Sequence, residues 1–141
     1  MTKPDSVIDG AAIIPGETRG SVVVLDEALS FWGGFDAESG LVIDEYHPQR
    51  GTRLSGRVVV LPEGRGSSSA SSVIAEAARL GTAPAAFVVR RSDEILATGA
   101  VVAAELYGRP LPIVKVDAEG WERAAAATEL AVAADGTLTV S

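Results

Sequence analysis

The 141-residue sequence contains no cysteine, only two lysines, Lys3 and Lys115, and a single histidine, His47. Without cysteine the chain can form neither a disulfide nor a thiolate-bound metal cluster. The sequence also has no apolar run of the length that a membrane span needs, and its first residues lack the pattern of a signal peptide. We therefore expect a cytoplasmic protein without a membrane partner.

Positive charge is scarce as well. The chain has 12 Lys+Arg against 19 Asp+Glu, a net charge of -7, which disfavours a nucleic-acid partner. Hydrophobic residues make up 47% of the chain against 22% charged residues, so it is expected to form a globular core rather than remain disordered. The length fits one domain over residues 1–141, with the polar residues 1–10 expected to be frayed.

The pattern of apolar residues predicts an α/β protein. The first third is expected to be β-rich, whereas from residue 57 onward continuous apolar strands alternate with helical spacing, which is typical of a parallel βαβαβ core. Asp135-Gly136 predicts a hairpin near the end of the chain. The predicted strands are 11–14, 21–25, 41–43, 57–61, 85–89, 111–116, 129–133 and 137–140, and the predicted helices are 69–80 and 93–107. Gly99 conflicts with the second helix, since glycine costs about 1 kcal/mol relative to alanine there.

The segment Gly64-Arg65-Gly66-Ser67-Ser68-Ser69, termed the serine loop below, lies between a predicted strand and a predicted helix. A helix start offers free backbone N–H groups and partial positive charge to an anion, and the two glycines allow close approach of a ligand. Arg65 could bind a substrate carboxylate or be a solvated loop charge. The loop as a whole could instead be a flexible connector, although the flanking strand and helix leave little slack for that.

Several chemistries do not fit the serine loop. No lysine follows Gly66, as a nucleotide-binding P-loop requires, and Ser69 stands where a dinucleotide fingerprint needs glycine or alanine. A serine nucleophile needs a base, but His47 lies in another loop and is expected to be a surface or packing residue. A serine acting as a base would need help from backbone N–H groups, a helix dipole and a nearby cation.

A second unusual segment is Phe31-Trp32-Gly33-Gly34-Phe35, termed the aromatic loop. Large apolar side chains beside glycines fit core packing, an interface patch or the wall of a substrate site. The acid pairs Asp44-Glu45 and Asp93-Glu94 are adjacent in sequence, which is not a catalytic geometry, and Asp93 is interpreted as a charge at a helix end.

Together these segments resemble the small subunit of aconitase X. The resemblance covers nearly the whole chain, and its motifs occur in the order found in that family: Leu29 to Asp36 and on to Gly40, Gly64 to Ser69, Ala83-Pro84-Ala85-Ala86 and Ala97-Thr98-Gly99-Ala100. The resemblance implies the swivelling β/β/α domain of aconitase. It also implies a two-chain dehydratase that removes water from a small hydroxy acid, with an iron or iron–sulfur centre in the large subunit and no cofactor or metal on this chain.

The resemblance also implies roles for individual residues. Ser67, the first serine after the two glycines, would accept a proton, and Ser68 and Ser69 would contact the substrate together with Arg65 and Gly66. Reasoning from the residues alone does not choose Ser67 over its neighbours. Two substrates fit the family, cis-3-hydroxy-L-proline and mevalonate 5-phosphate, and the serine-rich run with Leu106 to Pro110 favours the first. A non-catalytic module that binds an anion or only docks is the remaining alternative.

Overall fold

The computed structural model describes residues 6–65, 69–91 and 94–141. The strands are β1 (Val7–Ile8), β2 (Ala11–Ile14), β3 (Thr18–Val24), β4 (Leu29–Ser30), β5 (Phe35–Asp36), β6 (Leu41–Val42), β7 (Val58–Leu61), β8 (Gly64–Arg65), β9 (Ala86–Val89), β10 (Ile113–Lys115), β11 (Glu129–Val132) and β12 (Leu138–Val140). The helices are α1 (Phe31–Gly34), α2 (Ser69–Leu80), α3 (Glu94–Tyr107) and α4 (Ala118–Ala126). The predicted α/β class is confirmed.

The main sheet has eight strands in the order β1-β12-β11-β3-β7-β9-β10-β2. Its centre is parallel, because β3 pairs with β7, β7 with β9 and β9 with β10 in the same direction. Outer strands are antiparallel to their neighbours. The predicted βαβαβ core is therefore present, and β3 joins it as a further parallel strand through the pairing of Val22 with Val58.

The sheet is covered on both faces, as its apolar strands require. Successive residues of β7 alternate between two clusters: Val59 and Leu61 pack with α2 and α3, whereas Val58 and Val60 pack on the side of α4. The same alternation holds along β9, so both faces of the parallel strands are buried. The helices α2 and α3 thus lie on one side of the sheet and α4 lies on the other.

The end of the chain forms the predicted hairpin. Leu130 pairs with Val140 and Val132 with Leu138, and β11 also pairs with β3, so that the hairpin extends the main sheet. The expectation that residues 1–10 are frayed is wrong for β1, because this strand pairs with β12 and buries Ile8 beneath α4.

The helix α4 was not expected from the sequence, because its alanine-rich segment contains Gly120 and has only a short apolar face. It begins after Asp117, whose carboxylate accepts a hydrogen bond of 2.7 Å from the backbone N–H of Gly120, an N-cap. Its buried face carries Trp121 and Ala124. Within the described ranges, no helix is both long and apolar enough to cross a membrane.

Candidate functional site

The carboxyl ends of the parallel strands meet at one edge of the main sheet, termed the carboxyl edge below. The strand β7 reaches this edge at Leu61 and leads into the serine loop, and α2 begins at Ser69. The first turn of α2 carries no acidic side chain, so the partial positive charge of its N-terminus is not offset there. In open α/β sheets this edge is where ligands bind.

Three hydrogen bonds fix the segment that leads from β7 into the serine loop. The carbonyl of Pro62 accepts the backbone N–H groups of Arg90 and Arg91 at 3.1 and 3.3 Å, which ties the loop to the segment after β9. From the other face of the sheet, the indole N–H of Trp121 donates to the carbonyl of Leu61 at 2.9 Å. The chain therefore leaves the sheet at Leu61 and Pro62, whose carbonyls are bonded to α4 and to the segment after β9.

Charged side chains near this position are mostly exposed. The guanidinium of Arg90 lies over the ring of Trp121, 4.9 Å from its centroid, which is a cation–π geometry. Arg91 forms an ion pair with Glu63 at 3.8 Å, and both side chains are accessible to solvent, so this pair contributes little to stability. The segment after β9 thus carries one arginine that stacks on Trp121 and one that is paired with Glu63.

The aromatic loop lies directly beside the serine loop. Two short parallel strands connect them, since Leu29 of β4 pairs with Gly64 of β8 and Ser30 pairs with Arg65. The hydroxyl of Ser30 donates to the carbonyl of Trp32 at 3.1 Å and holds the turn that follows. The two segments that stood out in the sequence are therefore one structural unit at the carboxyl edge.

Within the aromatic loop the side chains divide between core and surface. The ring of Phe31 packs against Phe35 and Phe87 with centroid distances of 5.3 and 5.5 Å, and all three rings are buried. Trp32 is 61% exposed. The turn is irregular, with Trp32 in an extended conformation and Gly33 at a φ of 82°. Core packing thus accounts for the presence of Phe31 and Phe35 in this loop but not for that of Trp32.

The predicted site residues fall into two groups. Gly66, Ser67 and Ser68 lie outside the described residues, as does Asp93. The backbone of Arg65 belongs to β8, and Ser69 is the exposed first residue of α2. The proposed roles of these residues remain predictions.

His47 is a packing residue, one of the two interpretations that its sequence position allowed. Its side chain is only 5% exposed, its Nδ1 accepts the backbone N–H of Gln49 at 3.0 Å, and its Nε2 lies 3.2 Å from the carbonyl of Glu27. A neutral ring with its proton on Nε2 satisfies both contacts. His47 therefore holds two loops together, and both ring nitrogens are engaged.

A separate groove runs beside α2 and is lined by Asp36, Glu38, Glu76, Arg79 and two apolar neighbours. The hydroxyl of Ser39 donates to the carboxylate of Asp36 at 2.7 Å, and with the backbone N–H of Glu38 it lowers the pKa of Asp36. The guanidinium of Arg79 lowers the pKa of Glu76 through a hydrogen bond and its charge. The carboxylates of Asp36 and Glu76 are therefore both engaged by neighbouring groups.

Residues 6–65, 69–91 and 94–141 hold no group of three or more His, Asp or Glu side chains arranged to bind a metal ion. The hydrogen-bond donors that this part of the chain presents at the carboxyl edge are backbone N–H groups, hydroxyls and arginines. Such donors suit the binding of an anion.

Residues 7–140 match the family model described as the aconitase X swivel domain. The chain belongs to the aconitase X swivel domain family. The resemblance inferred from the motif series is thereby confirmed. A similar fold occurs in the crystal structure of Thermococcus kodakaraensis aconitase X in its holo-form, with a TM-score of 0.82 and 32% identity over 96% of this chain and 98% of that chain.

Two kinds of relative share this swivel domain. The chain is 50% identical over 101 residues to a cis-3-hydroxy-L-proline dehydratase of Pseudomonas aeruginosa, covering 72% of this chain and 17% of that enzyme. It is 44% identical over 96 residues to the phosphomevalonate dehydratase small subunit of Methanothermobacter thermautotrophicus, covering 68% of this chain and 73% of that subunit. The chain thus spans about a sixth of the first relative and about three quarters of the second.

Sequence reasoning missed two residues that shape the site, Trp121 and Arg90. Trp121 comes from a helix that was not predicted and reaches the end of β7, just before the serine loop, from the opposite face of the sheet. The N-cap Asp117 and the charged residues around Trp121 were the signals that could have indicated this helix. Nothing in the sequence pattern pointed to its contact with Leu61.

Proposed function

We propose that this chain is the small subunit of a two-chain aconitase X-type dehydratase, and that the enzyme converts cis-3-hydroxy-L-proline to pyrroline-2-carboxylate. The observation that carries this proposal is the match of residues 7–140 to the aconitase X swivel domain. The position of the serine loop between β7 and the N-terminus of α2 supports it, because a carboxylate substrate needs an anion site there.

In the proposed reaction the serine loop supplies the base. The oxygen of Ser67, in its deprotonated form, takes the proton from C2 of the substrate, and the electrons of that C–H bond form a double bond to C3. The C3–O bond breaks, and the hydroxyl leaves and becomes water on taking up a proton. The resulting enamine tautomerises to the imine, which is pyrroline-2-carboxylate.

The other residues of the loop would bind and orient the substrate carboxylate. Negative charge grows on this carboxylate as the C2 proton leaves, so backbone N–H groups at the start of α2 stabilise the transition state more than the ground state. Arg65, Gly66, Ser68 and Ser69 are the proposed contacts. The positive charge of Arg90, which lies on the segment bonded to Pro62, would favour the deprotonated form of Ser67.

The remaining chemistry is assigned to the large chain. An iron or iron–sulfur centre bound there would supply Lewis acidity to the departing hydroxyl. The small chain has no cysteine to ligate such a cluster.

The choice of hydroxyproline rests on the 50% identity to the Pseudomonas aeruginosa enzyme. A second candidate is the small subunit of a phosphomevalonate dehydratase. A different observation favours this candidate. The matched phosphomevalonate dehydratase relatives are themselves small subunits, and this chain covers about two thirds to three quarters of their length.

The test is to reconstitute the chain with the large chain of the same organism and to assay both substrates in parallel. Turnover of cis-3-hydroxy-L-proline is expected. Ser67→Ala should lower kcat by about 10²- to 10⁴-fold with little change in KM, because a general base contributes that much. Ser72→Ala is the matched control, since Ser72 is exposed about one turn into the same helix, and it should retain full activity.

Each contrary outcome has its own meaning. Conversion of mevalonate 5-phosphate alone would establish the second candidate. Full turnover by Ser67→Ala would show that another group is the base. Binding of a carboxylate by the isolated chain, with no turnover in the complex, would indicate a non-catalytic anion-binding module.

A further inference from the structure

Three large apolar side chains are exposed near the serine loop. Trp32 is 61% exposed, Ile43 is 45% exposed and Tyr46 is 91% exposed. We term these three residues the aromatic patch. Exposed tryptophan and tyrosine are unusual on a free surface and are enriched among the residues that dominate binding energy at protein interfaces.

Backbone hydrogen bonds hold the members of the aromatic patch in one substructure. The carbonyl of Gly34, two residues after Trp32, accepts the N–H groups of Ile43 and Asp44 at 2.9 and 3.3 Å. The carboxylate of Asp44 in turn accepts the N–H of Tyr46 at 3.0 Å. The segment that carries Ile43 and Tyr46 is therefore fixed to the aromatic loop.

The same substructure lies at the carboxyl edge. Gln49 exchanges hydrogen bonds with Asp26, and His47 contacts Glu27, so the segment after Tyr46 rests on the loop that follows β3. The pairing of β4 with β8 connects the aromatic loop to the serine loop. The aromatic patch and the candidate site therefore share one edge of the molecule.

Packing within the chain does not account for the exposure of Trp32. Its neighbours Phe31 and Phe35 are buried, whereas Gly33 has no other atom within 4 Å of where a Cβ would lie. The irregular backbone of this turn directs the indole outward while the two phenylalanines anchor the turn. Such an arrangement presents a large apolar side chain on a rigid base, as interface anchors require.

We propose that the aromatic patch is the surface on which the large chain of the enzyme docks. This inference rests on the function proposed above, in which the large chain must reach the serine loop to complete the active site. The hydroxyproline dehydratase relatives support this occupant, because the matched domain is only 17% and 22% of their length and the rest of each polypeptide is available to cover this edge. Docking at the patch brings the large chain against the serine loop.

The test measures association separately from turnover. The full chain and the large chain are titrated, and the dissociation constant is measured by calorimetry or sedimentation. Trp32→Ala and Tyr46→Ala should each raise Kd by tenfold or more, as expected for anchors of an interface. Leu106→Ala is the control, since Leu106 is 68% exposed but lies near the end of α3, at the opposite edge of the sheet, and should leave Kd unchanged.

The outcomes separate this inference from the proposed function. A complex that is weakened by Trp32→Ala but turns over neither substrate supports the docking surface and overturns the function. Active complex with unchanged Kd for both patch variants overturns the docking surface alone. Weakening by Leu106→Ala instead would move the interface to α3, and a Trp32-dependent homodimer of the isolated chain would assign the patch to a second copy. Failure of the wild-type chains to associate would overturn both proposals.

Discussion

Gly136 lies in the turn of the C-terminal hairpin with a φ of 95°, and it also abuts another strand. A Cβ atom at this position would lie 2.5 Å from the backbone nitrogen of Ala12 and 3.0 Å from the carbonyl oxygen of Gly10. These are backbone atoms, so no rotation of a side chain can relieve the contact. The residue is therefore constrained both by its own conformation and by its neighbours.

We expect Gly136→Ala to lower the free energy of unfolding by more than the positive φ of this residue alone would cause. A left-handed backbone costs a non-glycine residue roughly 1–2 kcal/mol, and overpacking adds about 1–3 kcal/mol. The matched control is Gly51→Ala, because Gly51 has a φ of 88° with no other atom within 4 Å of its Cβ position. The free energy of unfolding in urea measures both variants. An equal loss of unfolding free energy in the two variants would show that the backbone around Ala12 moves aside without an energetic penalty.

The packing of α2 against α3 depends on Gly99. In the sequence this glycine conflicts with a helix, but in the structure it is buried, and a Cβ there would lie 2.9 Å from that of Ile74 in α2. Its lack of a side chain lets the two helices approach closely. Because α2 begins at the serine loop, this contact also helps to position the candidate site.

The helix α4 contacts the end of the strand that leads into the serine loop through Trp121. We expect Trp121→Phe to lower the free energy of unfolding by about 1–3 kcal/mol, because the buried carbonyl of Leu61 loses its indole partner. The stacking of Arg90 should weaken as well, since phenylalanine binds cations less well than tryptophan. Hydrogen exchange of the backbone amides of residues 63–65 should become faster, which reports on the loop itself.

The other tryptophan provides the control for that variant. Trp32 is exposed, so Trp32→Phe should change the stability of the isolated chain by less than about 0.5 kcal/mol and leave the exchange of these amides unaltered. If Trp121→Phe destabilised the chain without faster exchange at residues 63–65, the indole would be a core residue with no influence on the loop.

Across the whole molecule, acidic groups link stability to pH. The hydroxyl of Ser39 and backbone N–H groups lower the pKa of Asp36, and the backbone N–H and hydroxyl of Thr137 lower the pKa of Asp135. In the unfolded chain both carboxyls titrate near their ordinary value of 3.8. The folded state therefore gains stability from them above about pH 4, and this gain is lost as the pH falls through the lower folded values.

We expect the free energy of unfolding to decrease as the pH falls below about 4, with a smaller decrease in the double variant Asp36→Asn/Asp135→Asn. Urea unfolding at several pH values measures the slope for both proteins. The net charge of -7 acts in the opposite direction, because protonation of carboxylates relieves repulsion between them. A stability that rises steadily down to pH 3 would show that this repulsion dominates over the two hydrogen-bonded carboxylates.

The sequence by itself determined the elements whose signals are local. The apolar run of β7, the helical spacing of α2 and the turn pair Asp135-Gly136 each carry their own pattern, and each element occurs close to its predicted range. The motif series likewise sufficed to indicate the family that the match over residues 7–140 confirms. These features depend on residues that are near one another in the chain.

Only the tertiary structure decided what lies next to the serine loop. The pairing of β4 with β8 joins it to the aromatic loop, and the bond from Trp121 to Leu61 links residues 60 positions apart. The short strands β4 and β8 have two residues each, too few for a periodic pattern, and α4 approaches from the other face of the sheet. Such contacts follow from how the layers pack, because packing of the whole core sets which distant residues meet at the carboxyl edge.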